Sequence, residues 1–370
     1  MELGLFMMPI HRIGRDYTTT LQEDREVIIY ADKLGFDHAW VGEHLSAQVE
    51  QITSPLIFLA TLIHETKQIK LAQGVFNLPH HHPANVAGYC AMFDHLAKGR
   101  FIMAIGTGGL PSDFELLGTL EEKDRLGMLK ESFDMIEALW TTDPPYSMHG
   151  KWWNTVIEQN NFPELGCGVV TKPYQKPYPK VAISAMSPNS SSMRLAGERG
   201  WMGISANFIP PAFVKSHWEQ YVEGAEAAGR KPDPKNWVIA KSIFVADSDE
   251  EAHEFTYTDE APLKYYYCYL RDLLSKYGLA KMFKNDPEMP DEALTGDYCM
   301  DEMVICGSPR TVLDKLVALR EEIGPFGQIL LVSHDWDGDT GAKWRHSMEL
   351  MANEVMPAFR KATGVEKADE

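Results

Sequence analysis

Short apolar blocks alternate along this chain with longer stretches whose apolar positions fall three and four residues apart, the spacing of one helix face. The blocks are Leu3–Met8, His38–Val41, Ile69–Phe76, Phe101–Ile105, Tyr178–Ser184, Gly203–Ser205, Val238–Ala246 and Gln328–Ser333. Blocks of this kind read as strands covered on both faces. Between the first two, Val27, Ile28, Ala31 and Leu34 make one helical stripe, opened by the capping box Thr20-Leu-Gln-Glu23 and closed by Gly35. Further helices are expected after Ser54-Pro55 and over 84–96, 130–139, 191–199, 212–228, 248–283, 309–321 and 344–359. About eight strand–helix units with right-handed crossovers close most simply into a (β/α)8 TIM barrel. An open doubly wound sheet is the rival, yet no G-x-G-x-x-G follows the first strand, where that fold would carry it. A barrel needs about 250 residues. We therefore expect one domain over 1–370, with insertions at about 142–178 and 256–300.

Composition narrows the function. Apolar residues are 44% of the chain, ample for a large core, and no apolar run reaches membrane-spanning length. The start, Met1-Glu-Leu-Gly-Leu-Phe6, has no basic leader segment and reads as a strand. A net charge of −18 argues against nucleic acid as a partner, which needs a basic footprint. The five cysteines, Cys90, Cys167, Cys268, Cys299 and Cys306, form no metal spacing and suit a reducing cytoplasm.

In a barrel of this kind the chemistry gathers at the carboxyl ends of the strands. The polar residues there are Glu43 and His44, Asn77 with His80 to His82, Thr107, Ser187 to Ser192, and His334 with Asp335. His44 suits proton transfer near neutral pH, or a structural hydrogen bond. Glu43 suits a base, a helix anchor or an orienting partner. His80, His81 and His82 are consecutive, which prevents all three from aiming at one ion, and no carboxylate completes a metal set. Ser184 and Ser187 lack the surroundings of a nucleophile elbow. Gly106-Thr-Gly-Gly109 is either a turn or a place where a planar ring nears the backbone. The turn from Ser187 to Ser192 leads into a helix ending at Gly200, so its first amides either seat a phosphate or are capped by serine.

Four segments in fixed order then carry a resemblance. They are Gly42-Glu-His44, Leu78-Pro-x-x-x-Pro83, Gly99-Arg-Phe-x-x-x-Ile-Gly106, and Ser190-Ser-Ser-Met-Arg-Leu-Ala-Gly-Glu-Arg-Gly200. The chain over roughly 1–360 resembles the bacterial luciferase-like flavin monooxygenases, nearest the limonene and diketocamphane monooxygenase-like branch. The resemblance implies a luciferase-like barrel that takes reduced FMN from a separate reductase and passes one atom of O2 to a small apolar or terpenoid-like substrate. Hydroxylation, epoxidation and Baeyer–Villiger insertion are the outcomes it allows. It places His44 beside the flavin, a non-proline cis peptide at Gly74-Val75 beneath the ring, and Asn77 near the ring edge. It gives Gly106 and Thr107 to the flavin site, and Asn189, Ser190 and Ser192 to the phosphate. Thr107 stands where luciferase has arginine, which leaves Arg194 as a candidate cation, and Gly106 stands where luciferase has cysteine. A homodimer packed through barrel helices is implied as well. The alternatives within this fold are a deazaflavin-dependent hydride-transferring dehydrogenase and a non-catalytic flavin-binding barrel. Trp152, Trp153 and Tyr265 to Tyr267 would either exclude water from the site or fill the core.

Overall fold

Eight parallel strands occupy the positions that the apolar blocks predict: β1 (Glu2–Met7), β2 (His38–Val41), β3 (Lys70–Asn77), β4 (Phe101–Gly106), β5 (Lys180–Ala185), β6 (Met202–Ser205), β7 (Trp237–Val245) and β8 (Gln328–Val332). The computed structural model describes residues 1–338 and 340–366. The eight strands close into one sheet, β8 pairing with β1 and β7 with β6, as in a TIM barrel with helices in the connections. A short strand, Val304–Gly307, runs parallel to the end of β7, and Tyr146–His149 pairs antiparallel with Asn154–Ile157 as a separate hairpin.

Two local differences from the sequence reading have clear causes. The first helix runs Tyr17–Lys33 because the Asp16 carboxylate, not Thr20, accepts the N-terminal amide of Thr19. Thr20 is buried inside the helix. The expected helix over 248–283 is two, Asp249–Thr256 and Pro262–Lys276. Pro262 lacks an amide hydrogen, so it starts a new helix rather than continuing the old one.

Contacts divide the chain into two compact units, one of residues 1–40, 48–51 and 183–370, the other of 41–47 and 52–182. In the first, β1, β8, β7 and β6 lie side by side. There the helix Ser191–Arg199 meets the helix Pro211–Ala227 through two glycines. A Cβ on Gly197 would lie 2.1 Å from the Tyr221 carbonyl, and one on Gly224 would lie 2.0 Å from the Arg194 carbonyl. The backbones therefore touch, and only glycine fits at either position.

In the second unit β3 pairs with β4, and the register slips between Gln73 and Phe76, as at a β-bulge. The Trp140 indole donates to the Ala87 carbonyl, tying the helix Arg125–Thr141 to the helix Pro83–Leu96. Among the described residues, no helix is long and apolar enough to cross a membrane.

Candidate active site

Strand β2 is buried along its whole length, and the chain leaves it through Gly42-Glu43-His44. Glu43 is itself buried and sits among donors. Its carboxylate accepts from Gln73 Nε2 at 2.8 Å and lies 2.6 Å from His81 Nε2. Its own carbonyl accepts from Asn77 Nδ2 at 3.2 Å. One carboxylate thus gathers the exits of β2 and β3. Asn77, expected near a flavin edge, keeps its amide on the Glu43 backbone.

His44 is anchored differently. Its Nδ1 lies 3.2 Å from Asp113 Oδ2, and Asp113 belongs to a short helix, Pro111–Leu116, that follows β4. Asp113 also accepts the amides of Leu45 at 3.3 Å and Ser46 at 2.9 Å, and the Ser46 hydroxyl at 2.5 Å. Burial alone would raise its pKa, but the bonds from His44 and Ser46 outweigh that and hold it at about 2. An ionised Asp113 can only accept, so the proton on His44 Nδ1 is fixed there.

The three consecutive histidines diverge. His80 packs edge-on against Phe114 at 5.4 Å, His81 turns to Glu43, and His82 packs against Trp153 at 5.7 Å. Burial lowers the His80 pKa, against the opposing pull of Glu43 and Asp113, and its Nε2 is buried with no hydrogen-bond partner among the described residues. Gly106 ends β4 buried, and Thr107 is half-buried. Gly108 is required as glycine: its φ is +84°, and a Cβ would lie 2.5 Å from the Phe114 ring. The Gly74–Val75 peptide bond is cis and lies at the register slip between β3 and β4.

The serine-rich turn lies in the other unit. The helix Ser191–Arg199 ends at Gly200 in the left-handed conformation, as its sequence predicts. Asn189 is also left-handed, with φ 51°. Ser190 occupies the N-cap but makes no side-chain capping bond, so the ordinary serine-cap reading does not describe it. Arg194 is engaged elsewhere: its guanidinium meets Glu223 at 2.6 Å and Glu198 at 3.3 Å. It supplies no cation to the turn.

The same unit contains a buried ion cluster at the ends of β1 and β8. His11 Nδ1 lies 2.9 Å from Asp335 and Nε2 lies 3.3 Å from Asp24, while Arg15 meets Asp335 at 2.9 Å. Burial would lower the His11 pKa, but the hydrogen bonds its ring donates to the two aspartates lift it to about 9, so the ring is an imidazolium. His334 is the opposite case. Wedged between Tyr266 and Trp344 and fully buried, it is pushed down to about 3 and stays neutral.

Asp113 is the functional candidate that sequence reasoning missed. It lies 69 residues from His44, and its only signal was an acid in the first turn after Pro111.

Comparison with known proteins places this geometry in context. Residues 1–325 match the family described as luciferase-like monooxygenase. The chain is 31% identical to 3,6-diketocamphane 1,6-monooxygenase of Pseudomonas putida, over 96% of this chain and 98% of that one. It is 29% identical to limonene 1,2-monooxygenase of Rhodococcus erythropolis, over 98% and 88% of the two chains. Among solved structures, the oxygenating constituent of the P. putida 3,6-diketocamphane monooxygenase, a Type II Baeyer–Villiger monooxygenase in complex with FMN, matches with a TM-score of 0.87. That match covers 96% of this chain and 98% of that one at 31% identity.

Proposed function

Because the chain belongs to the luciferase-like monooxygenases, we propose that it is the oxygenase component of a two-component FMN-dependent system acting on a small apolar or terpenoid-like substrate. The observation that carries this is the end-to-end match to an FMN-bound Baeyer–Villiger oxygenase, joined to a half-buried histidine paired with a buried aspartate at the carboxyl end of a barrel strand. Reduced FMN, delivered by a separate reductase, supplies the electrons that activate O2, and one oxygen atom enters the substrate.

The residues present suit that cofactor. A helix start whose N-cap serine makes no side-chain capping bond offers amides and hydroxyls of the kind a phosphate takes, through Asn189, Ser190 and Ser192. Gly74 and Gly106 carry no side chain, which suits the approach of a planar ring, with Val75 and Thr107 beside them in sequence. His44 holds a proton on Nδ1 through Asp113, so its exchange of protons runs through Nε2. Glu43, with Gln73, Asn77 and His81, fixes the backbone that carries His44.

The protein functions as a cytoplasmic homodimer on this reading. Support for the dimer is the helix Pro83–Leu96, which exposes Tyr89 by 55%, Met92 by 61% and Leu96 by 53%. Met92→Glu should convert a dimer to monomers in light scattering, and an unchanged mass would place the interface elsewhere.

The activity is tested with purified protein, FMN, NADH and an added flavin reductase under 18O2, offering a bicyclic ketone and a cyclic monoterpene. A product with one 18O atom, absent without flavin, is expected. Reduced flavin consumed with only hydrogen peroxide formed from every substrate would overturn the proposal.

A further inference from the structure

The serine-rich turn is held from behind by a chain of bonds whose directions are all determined. The Trp237 indole can only donate, and it donates to Ser205 Oγ at 3.0 Å. The Ser187 carbonyl can only accept, and it receives His217 Nε2–H at 2.9 Å. A neutral His217 ring then presents Nδ1 as acceptor, and Ser205 donates to it at 2.9 Å. His217 is fully buried, and burial drives its pKa down to about 4, which keeps it neutral. The order runs without conflict from Trp237 through Ser205 and His217 to Ser187.

A second bond from the same helix fixes the next residues. The Asn189 amide donates to Ser216 Oγ at 2.9 Å, and Ser216 in turn donates to the Phe213 carbonyl at 2.7 Å. Asn189 is the residue with left-handed φ, the conformation at which the chain turns to enter the helix Ser191–Arg199. Gly197 and Gly224 press that helix against the one bearing Ser216 and His217, so turn, helix start and buttress form one rigid piece.

We infer that His217 and Ser216 are positioning residues that hold the 187–190 turn in its phosphate-binding shape, so that an anion meets amides already aimed. This inference rests on the proposed seating of the FMN phosphate at this turn. A pre-shaped turn spares the ligand the cost of ordering it. Loss of either anchor should therefore weaken binding of FMN and leave riboflavin, which has no phosphate, unaffected.

The test is flavin affinity by fluorescence quenching for the wild type, His217→Leu, His217→Gln and Ser216→Ala, each checked by a thermal melt. His217→Leu and Ser216→Ala should each weaken FMN roughly tenfold, the effect of one lost positioning bond. His217→Gln, whose amide can donate to the Ser187 carbonyl, should recover most of that loss. If the wild type binds FMN and riboflavin equally, the phosphate seat itself is wrong and the inference falls with it. If the wild type prefers FMN and the folded variants keep that preference, only the positioning role is refuted. Equal weakening of both flavins would refute it as well, since that signals a softened fold. Should His217→Leu fail to fold, Ser216→Ala decides between these outcomes by itself.

Discussion

Two histidines at strand ends meet buried aspartates in this protein, and the chemistry differs because of what else those aspartates touch. His11 has a carboxylate on each ring nitrogen, Asp335 on one and Asp24 on the other. Removing its proton breaks one of the two pairs, so its charge is locked in. His44 instead faces an aspartate already satisfied by two amides and a hydroxyl, from Leu45 and Ser46. Asp113 accepts three further bonds from Leu45 and Ser46 besides its contact with His44, so it does not rest on the histidine alone. The first arrangement secures the strand ends, and the second holds one ring nitrogen of His44 against a carboxylate that has other donors.

The sharpest break of this contrast is His11→Leu. It leaves Asp24 and Asp335 buried with less compensation, and removing one partner of a buried ion pair costs about 3–5 kcal/mol. Urea unfolding measures it, and a loss below about 1 kcal/mol would mean that the cluster is not stabilised by its cation. Asp24→Asn added to His11→Leu should recover part of the loss, because one stranded charge is gone.

The same lock predicts a pH dependence with a definite sign. The His11 pKa is raised on folding, from 6.5 to about 9. Its contribution is complete below pH 6.5 and disappears as pH rises through about 9. At about 1.4 kcal/mol per pKa unit, a rise from 6.5 to about 9 limits the loss to about 3 kcal/mol. Stability measured from pH 6 to 10 should fall in the wild type and stay flatter in His11→Leu.

The His44 side is tested by Asp113→Asn. The amide oxygen can still accept from Ser46, and the bond lost is the longer one from the Leu45 amide at 3.3 Å, so the fold should survive, melting within roughly 5 °C of the wild type. Turnover should fall about tenfold or more, because the amide no longer enforces a proton on His44 Nδ1. Undiminished product yield would show that the pair is structural, as in the His11 cluster.

What the sequence disclosed follows from range. The eight barrel strands were legible because each is buried on both faces along most of its length, leaving a short, mainly apolar block. Val304–Gly307 was not, because it follows the helix Gly296–Met303 with no punctuating residue. Glu43 and His44 stood out because they directly follow such a block. Their partners did not: Gln73 and Asp113 lie 30 and 69 residues away, and only the path of the chain brings them in. The serine turn was legible as a helix start, but His217, 30 residues beyond Ser187, was not. Arg194 was open to correction from sequence alone, since Glu198 stands four positions on, where an ion pair along one helix forms.

The smallest effect belongs to the outer edge of the locked cluster. Arg15 bridges Asp335, which is buried, and Glu23, which is partly exposed, at 2.9 and 2.6 Å. Arg15 also lies 3.1 Å from the exposed Asp337, so its charge has several carboxylates to share. Glu23→Gln removes one carboxylate at the wet side and leaves the Asp335 contact in place. Partly exposed pairs of this kind contribute about 0.2–1 kcal/mol, and the contribution shrinks as salt screens it. Urea melts at low and high ionic strength should show a small loss that fades with salt. A loss above about 2 kcal/mol, unaffected by salt, would mean that Arg15 is positioned by Glu23 rather than by Asp335. The locked cluster would then extend to the surface, and the contrast with His44 would rest on burial less than on the number of carboxylates.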